Sequence, residues 1–472
     1  MRAIFRHDFD PSVLREYDIR GIVGQTLSED DAYALGVVFA SVLRERGLSD
    51  VLTGHDGRLT SPALEASLVA GLVRGGLSVG RLPCCPTPAL YHAAHRLVAS
   101  GAIMVTGSHN PLDFNGFKLV LENRPFFGAS LRDLGQRASH GVDCPHRSGP
   151  APQIVSDAIE AYVDAVRAGW SGEGRPLRVV WDNANSSAGP VLAALTAKLP
   201  GEHLVLNSAV DGRFPAHHPD PTLPENMHQL RQAVLENGAD LGVGFDGDAD
   251  RLGVVDDRGV LVPADKLTLL LAQPVLQESP GAVILGDVKM SSLLFDGIAA
   301  MGGKARMCPS GHSEVKSALS ETGGLFAGEM SGHFFFADCW PGFDDGIYAA
   351  TRLINLLSRR NEPLSSLCDA LPSPVVTPEI RFPCPDDVKF GIIDRLIARS
   401  AERGDDMTLI DGLRVTTPEG WWLLRASNTQ PALVARVEGR TMRDCRTMLE
   451  ALGAMIEAEG VAFPQVDDQF DE

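Results

Sequence analysis

Three stretches, VLTGHDGRLTS at 51–61, VVWDNANSS at 179–187 and VILGDVKMSS at 283–292, share one plan. Each is a β-branched, apolar run that ends in Asp and is followed by a Ser/Thr cluster suited to starting a helix. Asp56, Asp182 and Asp287 stand at equivalent positions. Working outward, each unit continues with a second strand that ends in a Pro-bearing loop: LPCCPTP, GRFPAHHPDP, ARMCPSGHS. A third strand with a Gly-rich polar end follows, AIMVTGSHNP, DLGVGFDGDADR and GLFAGEMSGH, and then a hairpin partner, FKLVLENR, RLGVVDD and HFFFADCW. Helical segments lie between the strands, such as SEDDAYALGVVFASVLRERG, where Ser28 can cap, acids fill the first turn, Leu35, Val38, Phe39 and Val42 share a face, and Gly47 ends the run. Strands alternating with helices predict three related mixed α/β domains. Ligands of such sheets sit beyond the carboxyl ends of strands, so the three Gly-rich loops are expected to line one cleft.

After the Pro-rich stretch LPSPVVTPEIRFPCPDD the pattern changes to a hairpin, DGLRVTTPEGWWLLRAS, a strand, ALVARVEGR, and a helix, TMRDCRTMLEALGAMIEAEG. This is a small α+β domain, and the acidic end QVDDQFDE reads as a solvated tail. The domains are expected over 1–150, 151–256, 257–371 and 372–472, with the Pro-rich segment near 372–385 as the hinge. The length of 472 residues, 44% hydrophobic and 22% charged, suits several packed cores. Lys plus Arg number 42 against 61 Asp plus Glu, a net charge of -19, which argues against a nucleic-acid partner. No signal-peptide or membrane-span pattern is present, so a cytoplasmic protein without a membrane partner is expected. The eight cysteines form no CxxC and read as reduced thiols.

Asp246, Asp248 and Asp250 alternate just past LGVGF, so in an extended chain their carboxylates point the same way. Two carboxylates about 4 Å apart repel by roughly 4 kcal/mol at an effective dielectric of 20, so such a trio calls for a divalent metal or a proton. Oxygen-only ligands favour Mg²⁺; a solvated acidic turn is the plainer alternative, and Arg251 stands where an EF-hand needs Gly. Ser108 lies in TGSHNP, where Gly107 permits a tight turn and Pro111 is expected to start a helix whose N–H groups favour an anion. A simple helix cap is the alternative, and the motif is not a hydrolase elbow. His109 beside it is a candidate base or donor for the unreactive hydroxyl. Arg20, Lys118, Arg251, Lys289 and Arg425 stand at loop ends. Each alone reads as a surface charge, but Arg425 with Ser427, Asn428 and Thr429 has the makings of a phosphate clamp.

TGSHNP, DGDADR, GEMSGH and RASNTQP, in this order and spread over the chain, resemble the α-D-phosphohexomutase superfamily. EYDIRG, GRFPAHHPDP, SGHSEVK and GFDDGIYAA point to its bacterial phosphomannomutase/phosphoglucomutase branch. The resemblance implies three related α/β domains and a TATA-binding-protein-like fourth around a central cleft. It implies that Ser108 carries a phosphoryl group and that Mg²⁺ is held by that phosphate and by Asp246, Asp248 and Asp250. Glu329 and Ser331 would bind sugar hydroxyls. Tyr17, Lys289, His312 and His333 would contact substrate, and Arg425, Ser427, Asn428 and Thr429 would hold the non-transferring phosphate. Arg20, Lys118, His109 and Arg251 would join the catalytic group, with His109, Lys118 and His333 left unranked as acid or base. The implied reaction interconverts 1- and 6-phosphates of mannose and glucose through a hexose 1,6-bisphosphate, which also serves as activator. Phosphosugars are the expected partners, with a monomer or at most a dimer. Three alternatives stay open. A phosphoglucosamine mutase would resemble GEQSGH where Met330 stands; a haloacid-dehalogenase-type enzyme would use Asp246 as nucleophile, though Asp250 falls where Thr or Val is expected; a binding regulator would have lost transfer.

Overall fold

The computed structural model describes residues 3–145, 148–427 and 431–464. The repeat read from the sequence is present as three sheets of one topology. In the first, Ser78–Cys84, Asp50–His55 and Gly101–Val105 run parallel in that spatial order, and Phe114–Leu121 closes antiparallel. The second orders Gly201–Leu206, Leu177–Asp182, Leu241–Phe245 and Leu252–Asp256 likewise. The third does the same with Lys304–Cys308, Val283–Asp287, Phe326–Gly328 and Phe334–Phe336. The first sheet is widened by Ile19–Ile22, antiparallel to Phe114–Leu121, and by Gln153–Ile154 at the other edge. These central strands are apolar and β-branched because both faces are covered by helices.

Each first-strand Asp braces the neighbouring loops rather than facing solvent. Asp56 accepts from Thr106 Oγ1 (2.8 Å) and the Gly107 N–H (3.0 Å). Asp182 accepts from Asn207 and His217, and Asp287 from Ser310. The carboxyl ends of the third strands, at Val105, Phe245 and Gly328, therefore deliver the three polar loops to one place.

The helix Glu29–Glu45 starts at Ser28 with a capping box to Asp31, and its chain turns away at Gly47, φ 76°. Its buried surface is wider than the face read from sequence: Ala34, Val37, Ala40 and Leu43 are buried too. The reason is a close crossing with Ser61–Arg74, where a Cβ on Gly36 would lie 2.4 Å from the Leu68 carbonyl and one on Gly71 2.1 Å from that of Tyr33.

The fourth domain is an antiparallel sheet in which Asp406–Thr408, Leu413–Thr417, Gly420–Ala426 and Ala432–Gly439 follow in order, packed against Asp386–Arg403 and Met442–Glu457. Much of the Pro-rich segment is sheet: Val375–Val376 and Ile380–Pro383 both pair with Ala432–Gly439, so the stretch expected as a hinge is largely stitched to the fourth domain. Among the described residues no helix is long and apolar enough to cross a membrane. The acidic tail from 465 lies outside the described residues.

Candidate active site

Ser108 sits past the end of Gly101–Val105 in a left-handed conformation, φ 48°. A non-glycine residue is strained there unless its surroundings hold it. Thr106 Oγ1 takes the Ser108 N–H at 2.8 Å, and the buried guanidinium of Arg58 takes the carbonyls of Ser108 (2.8 Å), Asn110, Pro111 (2.7 Å) and Phe114 (3.0 Å). A Cβ on Gly107 would lie 2.2 Å from Arg58 Nε, so glycine is required for this approach. The loop turns through Pro111 directly into the strand Phe114–Leu121. The helix expected at Pro111 does not form, and Ser108 is not a helix cap, because the chain must reverse within three residues to pair beside Gly101–Val105.

The acid trio also departs from the expected extended chain. Residues 246–249 form a turn with Ala249 at φ 56°, and the Ala249 N–H reaches the Asp246 carbonyl. The carboxylates converge through this turn, and each of the three can place one oxygen within 4.8 Å of the others. A Cβ on Gly247 would lie 2.3 Å from the Ser108 carbonyl, so the serine loop rests on the trio's backbone. Ser108 Oγ donates to Asp246 Oδ2 at 2.6 Å and lies 3.2 Å from His109 Nδ1, whose Nε2 is 3.3 Å from Arg251 Nη2. Lys118, buried, bridges Asp248 (2.7 Å) and Asp250.

The residues fit a divalent cation. Burial, with Asp250 and Asp248 alongside, holds Asp246 well above the carboxylate range. Burial opposes ionisation of Asp248 and Asp250 as well, but Lys118 keeps both charged, aided by Thr87 at the first and His333 at the second. Ionising all three together needs a further positive charge. Asp248 Oδ1 is buried without a hydrogen bond, as suits an oxygen with a ligating task. A hard cation coordinated there supplies Lewis acidity and charge neutralisation for a transferring phosphoryl group.

The third loop meets the second directly. His333 Nε2 lies 3.3 Å from Asp250 Oδ1 and its Nδ1 2.9 Å from Glu329 Oε2, with Ser331 Oγ at 2.8 Å. Burial disfavours the imidazolium, yet Asp250 and Glu329 raise His333 to about 9. His109 moves the other way: burial first, then Arg251 and Arg20, pull it well below its ordinary value, so it is neutral at pH 7. Glu329 Oε1 accepts the Gly311 N–H (2.7 Å), and Tyr17 donates to the Ser310 carbonyl (2.7 Å). The Ser310 N–H and Arg425 Nε both donate to Asp411 Oδ2, at 3.1 and 2.9 Å. Lys289 Nζ lies 3.2 Å from Glu379 and 3.6 Å from Asp287. His312 Nδ1 is 3.4 Å from Asp344, which also accepts from Lys316 (2.8 Å). Arg20 donates to Asp18 (2.7 Å) and to the Thr106 carbonyl (2.6 Å). Residues from all four domains thus face one cleft, including buried Ser427; Asn428 and Thr429 lie outside the described residues.

The chain matches the family profiles described as phosphoglucomutase/phosphomannomutase alpha/beta/alpha domain I over 12–132, domain II over 160–259, domain III over 263–375 and the C-terminal domain over 379–452. The chain belongs to the phosphoglucomutase/phosphomannomutase family. Its placement in the α-D-phosphohexomutase superfamily makes it an isomerase of the phosphohexomutase type, acting by metal-assisted phosphoryl transfer. A phosphomannomutase/phosphoglucomutase of Pseudomonas putida is 43% identical over 428 residues, 90% of this chain and 91% of that one. A phosphoglucomutase of Neisseria gonorrhoeae is 40% identical over 94% of this chain and 97% of its own. A phosphoglucomutase/phosphomannomutase family protein of Burkholderia thailandensis has a solved structure that superposes with a TM-score of 0.88 at 36% identity, covering 97% of this chain and 100% of that one.

Several residues that build this family site were not singled out from the sequence: Arg58, Lys316, Asp344, Glu379 and Asp411. For Arg58 a signal existed, since it follows Asp56 by two residues as Lys289 follows Asp287. In the first repeat the cation at that position clamps a loop, and in the third it faces the cleft.

Proposed function

We propose that this enzyme interconverts the 1- and 6-phosphates of mannose and glucose, with Ser108 as phosphoryl carrier, Mg²⁺ at Asp246, Asp248 and Asp250, and a bound hexose 1,6-bisphosphate as intermediate. The observation that carries the reading is Ser108 Oγ at 2.6 Å from Asp246, beside two more buried acids that Lys118 and His333 partly neutralise. Phosphoryl transfer is mostly positioning and charge stabilisation, and the held, left-handed Ser108 loop supplies the first. Lys118, Arg251 and Arg20 surround the transferring group. Arg425 and Lys289 take the other phosphate, and Glu329 with Ser331 takes the sugar hydroxyls. His333, charged and held by Glu329, is suited to give a proton at the reacting oxygen, while neutral His109 takes a guanidinium N–H at Nε2 and so directs its own Nδ1–H at Ser108 Oγ.

A bisphosphate that must bind in both orientations favours contacts to O3 and O4 over any asymmetric pocket, so C2 is left unread and both sugars are substrates. A kcat/KM difference above roughly 10⁴ between them exceeds what one unrecognised hydroxyl gives and would defeat dual use. The substrate is a soluble phosphosugar, as suits a cytoplasmic enzyme. The test of the carrier is intact mass of the purified enzyme after hexose 1,6-bisphosphate and again after glucose 6-phosphate. Gain and then loss of one phosphate is expected in the wild type and neither in Ser108→Ala. A phosphate mapped to Asp246 would overturn the reading in favour of an aspartyl nucleophile.

A further inference from the structure

We propose that Arg414 and Arg436 of the fourth domain are positioning residues for Lys289, holding the backbone of its loop in register on the sheet face that also carries Arg425. The strand GWWLLRA at 420–426 alternates between two faces. Trp422, Leu424 and Ala426 enter the fourth domain's own core. Trp421, Leu423 and Arg425 point to the opposite face, where Trp421 and Leu423 pack on Val288 of the third domain. In register, Leu423 stands between Arg414 on one neighbouring strand and Arg436 on the other. Arg425, two residues further along the same strand, shares their face.

On this face lies the loop that follows Asp287. Arg414 Nη1 donates to the carbonyls of Val288 (2.6 Å) and Met290 (2.9 Å), and Arg436 Nη1 donates to that of Lys289 itself (2.6 Å). Three successive carbonyls are thus read by two buried guanidiniums. Arg414 Cζ itself lies over the Trp421 ring, 3.6 Å from its centroid, and Glu438 takes the Ser292 N–H at the end of the loop. Val288 packing on Leu423 would by itself let the loop slide along the sheet, because apolar contact has no direction. Hydrogen bonds to consecutive carbonyls fix its register. Buried charges spent on main-chain atoms of a cleft loop are costly as stability devices and informative as alignment devices.

The inference rests on the reading of Lys289 and Arg425 as phosphate contacts. A double-mutant cycle between each arginine and Lys289 tests it. Arg414→Lys and Arg436→Lys keep the charge and most of the volume, and either one suffices if the other fails to fold by thermal melting. In the Lys289 background each is expected to raise KM for mannose 1-phosphate roughly tenfold with kcat within about twofold. In the Lys289→Ala background the same change is expected to move kcat/KM by less than about twofold. Equal losses in both backgrounds would assign the arginines to domain packing alone, and unchanged KM in the Lys289 background would remove any role; either overturns the proposal. If Lys289→Ala leaves KM unaltered, the phosphate-contact reading falls first and carries this inference with it.

Discussion

Gly247 shows how tightly single residues set this site. Standing between Asp246 and Asp248, it lets the Ser108 carbonyl lie where a Cβ would intrude at 2.3 Å. Gly247→Ala must push the serine loop away from the trio, and a displacement near 1 Å at a reacting atom can cost roughly 100-fold. We expect that loss in single-turnover phosphoryl transfer with Mg²⁺ affinity little changed; full transfer activity would refute the packing argument. Asp248→Asn should do the opposite. It removes a carboxylate whose Oδ1 lacks a hydrogen-bond partner, so the Mg²⁺ concentration for half-activation should rise by roughly tenfold or more, as read in a metal titration. The trio, Ser108 and Arg425 were legible because their chemistry is unusual in any context. Arg58 and Asp411 were not, because an arginine or aspartate in a polar loop reads as solvated until the fold surrounds it with carbonyls or a second cation.

Elements show the same division. The strand–loop plan of the three repeats was legible because period-2 apolar runs and Pro/Gly loops are local signals. The end of the TGSHNP loop was misread for the same reason: Pro111 is a good local helix starter, and only the antiparallel pairing of Phe114–Leu121 excludes a helix. The helix Gly346–Ser358 carries a further consequence. Its N-cap, Asp345, is fully buried and accepts the Tyr162 hydroxyl from the second domain at 2.9 Å. Burial raises Asp345 to about 8, despite hydrogen bonds from Tyr348 and Tyr162 that favour its charge. The folded state then binds a proton that the unfolded chain releases near pH 4, so this group's contribution to stability is full below that pH and is lost as pH rises towards 8. Asp345→Asn cannot titrate. Melting temperatures across pH 5–9 should fall more steeply for wild type than for the variant over 5–8, and parallel curves would show that Asp345 is ionised in the fold.

At the scale of the whole molecule, a chain of net charge -19 gathers Arg20, Lys118, Arg251, Lys289 and Arg425 into one cleft. The local field of these cations attracts dianionic phosphosugars within an otherwise acidic chain, and mobile ions screen that attraction over about 8–10 Å. KM for hexose 1-phosphate should therefore rise severalfold between low and high ionic strength at constant Mg²⁺, with kcat changing less. Steady-state kinetics in chloride salts would check this, and a flat KM would count against the cleft field. The domains that line this cleft are joined there by Tyr17 to Ser310 and by Ser310 to Asp411, which in turn holds Arg425 of its own domain. By itself the sequence determined the three repeated α/β units, the different fourth domain, the loops that carry the chemistry and the family they resemble, because each is written in local periodicity or in contiguous motifs. Only the tertiary structure decided that Ser108 is held left-handed by Arg58, that His109 and His333 are driven to opposite protonation states, and that the fourth domain grips the Lys289 loop. Those features depend on burial and on hydrogen-bond partners as far apart as Lys289 and Arg436, 147 residues, and no short window along the chain contains them.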